Sequence, residues 1–194
     1  MEKNQDEEKL KPACTKQKDE RTRLIAFFSA LCLFLSTIEY ALPKPLPFLR
    51  LGLANLPVIL SLSILKKREI ALVVFFKVVA QGVISGTLFS YIFLFSAAGS
   101  FSSAFVMILA SRLFKSKISA FGISLAGALS NNLAQLCIAR LFLFGQNAKY
   151  IAPILLITGL ATGSALGIFA EFFKQKSKWL QIIRHLELDS EPAL

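Results

Sequence analysis

A chain of 194 residues that is 55% hydrophobic, with 18 phenylalanines and a mean hydropathy of +0.60, is too apolar for a soluble globular domain and falls in the integral-membrane class. Its net charge of +10 and pI near 9.7 do not mark a nucleic-acid binder, because the basic residues are split into short clusters between apolar runs. Acidic residues are confined to the two tails except for Glu39, Glu69 and Glu171.

Residues 1–23 alternate basic and acidic side chains without apolar periodicity, which predicts a disordered cytoplasmic tail. The apolar run after it starts late, runs long and has no small-residue cleavage site, so a signal peptide is not expected. Leu24 to Leu42 is the first predicted span. Its Ala26 and Ala30 form a small-xxx-small step that allows close approach of another helix. Next comes Pro45-Leu46-Pro47-Phe48-Leu49-Arg50-Leu51-Gly52-Leu53-Ala54-Asn55. Two prolines remove backbone donors and stiffen the segment, while Arg50 and Asn55 supply polar groups. This stretch reads either as a stiff flap over a site or as an interfacial turn with a snorkelling arginine.

The second span, Leu51 to Leu65, is short and holds Pro57, so it is expected to be tilted, partly buried or broken. Ile70 to Phe95 is the third, with Lys77, Gln81 and the pair Gly82/Gly86; Ser96 to Ser111 is the fourth. Ile118 to Phe144 is the fifth and contains Asn131, Asn132, Gln135 and Arg140. The sixth runs from Tyr150 to Phe173, where Gly159, Gly163 and Gly167 recur on one face and suit close helix packing. Basic clusters at 16–23, 66–68, 112–117 and 174–178 alternate consistently with the spans. The expected architecture is therefore an all-α integral membrane bundle of six transmembrane helices, residues 24–173, with both termini cytoplasmic in the inner membrane. Residues 174–194, with Trp179, Leu180, Ile182 and Ile183 among basic residues, suit a basic amphipathic tail on the cytoplasmic surface.

Polar residues inside apolar spans are functional candidates because hydrocarbon cannot solvate them. Gln81 falls near mid-span, and Asn131, Asn132 and Gln135 lie roughly 20–26 Å along their helix, toward its outer half. Lys77, about 10 Å in, is within snorkelling distance of the cytoplasmic surface. Arg140 and Glu39 fall near the outer boundary, within reach of pairing. These groups read as an outward-facing substrate pocket of Asn55, Asn131, Gln135 and Gln81 under the flap, or as interhelical hydrogen bonds that hold the bundle. The spans lack the carboxylates expected of a proton- or sodium-driven carrier. No phosphate-binding loop, paired aspartates or histidine-activated serine occurs, so neither enzyme activity, a metal nor a cofactor is expected. Cys14, Cys32 and Cys137 have no metal-ligand spacing.

Pro45-x-Pro47-x-x-Arg50-x-Gly52-Leu53-Ala54-Asn55, Ser85-Gly86-Thr87-Leu88 and Gly127-Ala128-x-x-x-Asn132-x-x-Gln135 resemble the Gx transporter family, also described as heptaprenyl diphosphate synthase component I. The resemblance spans about Leu24 to Phe173. The family pattern has histidine where this chain has Asn131, which hydrogen-bonds but does not change charge near neutral pH. That family is in turn similar to substrate-binding S components of energy-coupling factor transporters. The resemblance implies a membrane substrate-capture subunit for a small nutrient or amphipathic anionic precursor. Arg50, Asn55, Gln81, Asn131, Asn132 and Gln135 would bind it, Pro45 and Pro47 would gate it, and Ala26 and Ala30 would dock a transmembrane coupling subunit with ATPases. The alternative it implies is a membrane accessory subunit of heptaprenyl diphosphate or menaquinone-type isoprenoid synthesis.

Overall fold

In the computed structural model, the described residues form six α-helices: α1 (Glu2–Ala41), α2 (Leu56–Ser61), α3 (Lys67–Ile84), α4 (Tyr91–Phe114), α5 (Ala120–Ile138) and α6 (Ala152–Lys176). Residues 2–41, 52–114 and 118–178 are described, with side chains from residue 19 onward. Pro45, Pro47, Arg50 and the segment from Trp179 lie outside them. The described residues contain no strand. Among the described residues, four stretches are long and apolar enough to cross a membrane: Asp19–Ala41, Tyr91–Phe114, Ala120–Tyr150 and Ala152–Lys176. This is a multi-pass membrane protein.

The burial pattern supports that assignment. Phe34, Phe75, Phe76, Phe105, Leu141, Ile157 and Ile168 are exposed on the outside of the bundle, while Ser61, Lys77, Gln81, Asn131, Asn132 and Gln135 are buried. An apolar exterior around a polar interior is stable in hydrocarbon, whereas in water it would leave a very large exposed apolar surface.

Side-chain contacts set the helix directions. Glu171 Oε2 accepts the backbone N–H of Ala120 at 2.8 Å, joining the start of α5 to the end of α6, and Asn132 Nδ2 donates to the Leu155 carbonyl near the other end. The two helices are therefore antiparallel. Gly82 lies against Phe93, making α3 and α4 antiparallel, whereas Arg21 reaches Glu69 and makes α1 and α3 parallel. The chain achieves this parallel pair by returning between them through the turn Leu53–Asn55 and the six-residue α2. Pro57 sits in the first turn of α2, where its missing N–H breaks no helical bond.

Helix α1 extends back to Glu2 through the charged N-terminal stretch. Two local features differ from the sequence expectation. The third and fourth spans do not meet at Phe95/Ser96: α3 stops at Ile84 and α4 starts at Tyr91. Gly86 takes φ +64°, and the N–H groups of Thr87 and Gly86 bond the carbonyls of Gly82 and Val83 at 3.0 and 3.1 Å. This left-handed glycine termination stops α3 at Ile84, so Gly86 is a turn residue with open space around it and does not pack a helix. Beyond α5, Ala139–Phe144 is π-helical and Gly145–Tyr150 forms a 3₁₀ turn.

At the opposite end of α3, Glu69 Oε2 accepts the Lys66 N–H at 2.8 Å while Oε1 takes the Arg21 guanidinium at 2.9 Å. Glu69→Gln is expected to cost about 1 kcal/mol by weakening this cap and an ion pair that is only partly screened. Thermal unfolding in detergent would fall by roughly 2–4 °C. An unchanged midpoint would show that the Arg21 contact adds nothing to α1–α3 packing.

Candidate functional site

Two apolar clusters bracket a polar layer. Toward the basic end, Phe28, Val58, Ile70, Val74, Met107 and Ile123 form the larger cluster; toward the other end, Phe95, Ala139 and Leu155 form a smaller one. Between them lie polar side chains from five segments of the chain.

Asn55 is placed by the turn before α2. Gly52 adopts φ +84°, its carbonyl accepts the Asn55 N–H at 2.8 Å, and a Cβ at Gly52 would lie 3.3 Å from Asn55 Nδ2. The left-handed backbone, with the Asn55 amide close by, explains glycine here. The turn directs Asn55 inward, where its Oδ1 accepts the Lys77 ammonium at 2.6 Å. Lys77 is only 4% exposed. It does not snorkel to the surface, because this bond and the polar layer around it provide local solvation. A charge-assisted bond of this kind contributes about 1.5–3 kcal/mol, more than a neutral one, and offsets part of the cost of burying the cation.

Asn55 and Lys77 line a narrow cavity of about 20 Å³, together with Glu39, Gln81, Ser100 and Asn131. Its walls come from α1, the Gly52–Asn55 turn, α3, α4 and α5. Ser96 donates to Gln81 Oε1 at a long 3.4 Å. Glu39 is 2% exposed, so one acid and one base line the same space. Arg140, expected near Glu39, is exposed on the π-helical stretch and does not line the cavity.

A second, smaller gap of about 10 Å³ adjoins the first through Gly52, Asn55 and Asn131, and extends to Asn132, Gly159 and Gly163 between α5 and α6. Asn131 Nδ2 donates to Asn132 Oδ1 at 3.2 Å, and Asn132 passes the chain of bonds to the Leu155 carbonyl. Helix approach here depends on missing side chains. A Cβ on Gly159 would meet Asn132, one on Gly163 would lie 2.6 Å from Ala128 Cβ, and one on Gly167 would lie 2.9 Å from Phe121 Cα. Ser124 donates to the Gly163 carbonyl at 2.8 Å across the same seam. Gly82 packs against the Phe93 ring.

Gln135 lines neither cavity. It is fully buried beside Asn131 against Gly99, and its amide nitrogen and oxygen have no hydrogen-bond partner. The structure therefore brings Asn55, Gln81, Asn131 and Asn132 to the cavities and sets Gln135 directly behind them. Ala26 and Ala30 are remote and exposed on α1, flanked by exposed Phe27 and Phe34.

Sequence reasoning missed Lys77, Glu39, Ser96 and Ser100 as neighbours of this layer. Their spacing carried a signal: Lys77/Gln81 and Ser96/Ser100 each sit four residues apart, on one helix face. No group of three His, Cys, Asp or Glu side chains suited to a metal occurs among the described residues. The arrangement can hydrogen-bond a small polar molecule and present an ammonium to an anionic group.

The family model described as heptaprenyl diphosphate synthase component I matches residues 28–173. No curated protein and no solved structure gives a significant match.

Proposed function

The chain belongs to the heptaprenyl diphosphate synthase component I family, and we propose that it is a substrate-capture subunit of the cytoplasmic membrane. It would take a small polar or anionic-headed molecule into the buried polar layer and act with a partner. The observation that carries this reading is the Lys77 ammonium, buried among apolar helices and held by Asn55 on the wall of a cavity. An intramembrane cation is costly, and stability alone is served better by an apolar residue. Asn55, Gln81, Asn131 and Asn132 would hydrogen-bond the ligand, Gln135 would support Asn131 from behind, and Arg50 with Pro45 and Pro47 would form the covering segment.

Six passes with both termini inside fit this reading. Helix α3 falls short of a simple hydropathy criterion because it carries Lys67, Arg68, Glu69 and Lys77, and the second pass is interrupted around the six-residue α2. Arg21, Lys66, Arg68, Arg112, Lys174 and Lys176 gather at one end, the side the positive-inside tendency assigns to the cytoplasm. Exposed Ala26 and Ala30 offer a close-approach surface for a transmembrane coupling subunit bearing ATPases.

The family description favours a second reading, in which the chain is the membrane component of a prenyl diphosphate synthase. Native mass spectrometry of the gently extracted protein separates the two. A co-purifying transmembrane subunit with ATPases and a retained small molecule are expected, and Ala30→Trp should lose the partner but keep the molecule. A soluble prenyl synthase as partner would replace the transport reading with the biosynthetic one.

A further inference from the structure

At the basic end of the bundle, away from the polar layer, an open cleft of about 650 Å³ lies between the α2–α3 connection and α4. Leu62, Leu65, Ile70 and Ile108 form its apolar walls, and Lys66, Lys67 and Arg68 form its rim. These three basic residues are exposed and, among the described residues, make no ion pair. Glu69, the acid beside them, is already engaged by the Arg21 guanidinium and the Lys66 N–H. Three available cations above an apolar slot match an anion carried on a hydrocarbon stem.

We propose that this cleft binds an anionic phospholipid of the surrounding bilayer, with the phosphate on Lys66, Lys67 and Arg68 and the first part of an acyl chain along the partly exposed Leu62 and Ile108. The charges sit where the apolar exterior ends, which is headgroup depth for a lipid alongside α3 and α4. A free phosphate would use the rim and leave the apolar walls without a partner. An acidic protein segment would do the same. The bound lipid would bridge the α2–α3 connection to α4.

The test uses the full-length protein in detergent micelles doped with phosphatidylglycerol or phosphatidylcholine, with retained lipid counted by native mass spectrometry. Phosphatidylglycerol should be retained selectively. The triple variant Lys66→Gln, Lys67→Gln, Arg68→Gln should weaken its retention by about 100-fold, the order expected for three basic residues at an anionic surface. Lys174→Gln, Lys176→Gln, Lys178→Gln, which removes equal charge at the same end, should retain it. The charge-preserving Lys66→Arg, Lys67→Arg pair should bind as the parent does, which separates loss of charge from loss of fold. Equal retention of both lipids, or undiminished retention by the glutamine variant, would overturn the proposal. Displacement by millimolar inorganic diphosphate would also overturn it, in favour of a free-anion site. Preferential exchange for a prenyl diphosphate would replace the bilayer lipid with an isoprenoid ligand.

Discussion

Replacing Asn55 with leucine should destabilise the protein by about 3 kcal/mol, because it strips the buried Lys77 ammonium of the oxygen that accepts from it at 2.6 Å. In detergent this is a drop of roughly 6–12 °C in the unfolding midpoint. Lys77→Met should behave differently. It removes the charge at nearly constant volume, leaves no stranded cation, and should cost less than about 1.5 kcal/mol. Retention of the co-purifying molecule should nevertheless fall in both variants, since each removes part of the cavity wall. The informative result is this separation of stability from binding in Lys77→Met. If it unfolds as readily as Asn55→Leu while still retaining the molecule, Lys77 serves the fold and the ligand reading of the layer fails.

The second large effect is expected at Gly167→Val. The first carbon of the new side chain would stand 2.9 Å from Phe121 Cα and 3.1 Å from Ser124 Cβ. Phe121 Cα belongs to the α5 backbone and has no rotamer by which to withdraw, so α5 and α6 must separate. Overpacking of this kind costs about 3 kcal/mol. Separation also threatens the Ser124 bond to the Gly163 carbonyl and the Asn132 bond to the Leu155 carbonyl on the same seam. Gly82→Ala is the contrasting case. Its new carbon would meet the Phe93 ring at 2.8 Å, a side chain able to turn aside, and its unfolding midpoint should fall by less than half as much. Equal midpoints for the two variants would show that the α5–α6 seam tolerates widening.

The two experiments concern connected parts of one structure. Asn131 and Asn132 join the cavity beside Lys77 to the glycine seam of α6, so the spacing of α5 and α6 fixes where the amides point. A ligand seated on Asn131 would be sensitive to a substitution at Gly159, although Gly159 offers it no polar side chain.

The sequence by itself determined the membrane character, the helical class, the approximate positions of most helices and the polar residues worth attention. These follow from local properties: long apolar runs, basic clusters between them, and amides or a lysine where hydrocarbon offers no solvation. It also marked the region of Pro57 as an interrupted segment. The stop of α3 at Ile84 was readable only in part, since Ser85-Gly86-Thr87 lies in a continuous apolar context and the left-handed φ of Gly86 is a backbone choice. Tertiary structure alone decided which polar groups meet. Lys77 had two destinations, the membrane surface or the interior, and the Gly52 turn settled the matter by carrying Asn55 to it from 22 residues away. Gln135 and Asn131 share a helix face, yet only the packing of Gly99 against them sets Asn131 at the cavity and Gln135 behind it. Periodicity assigns a residue to a face of its own helix; the partner across that face depends on the return path of the chain through the short α2, which no local pattern encodes.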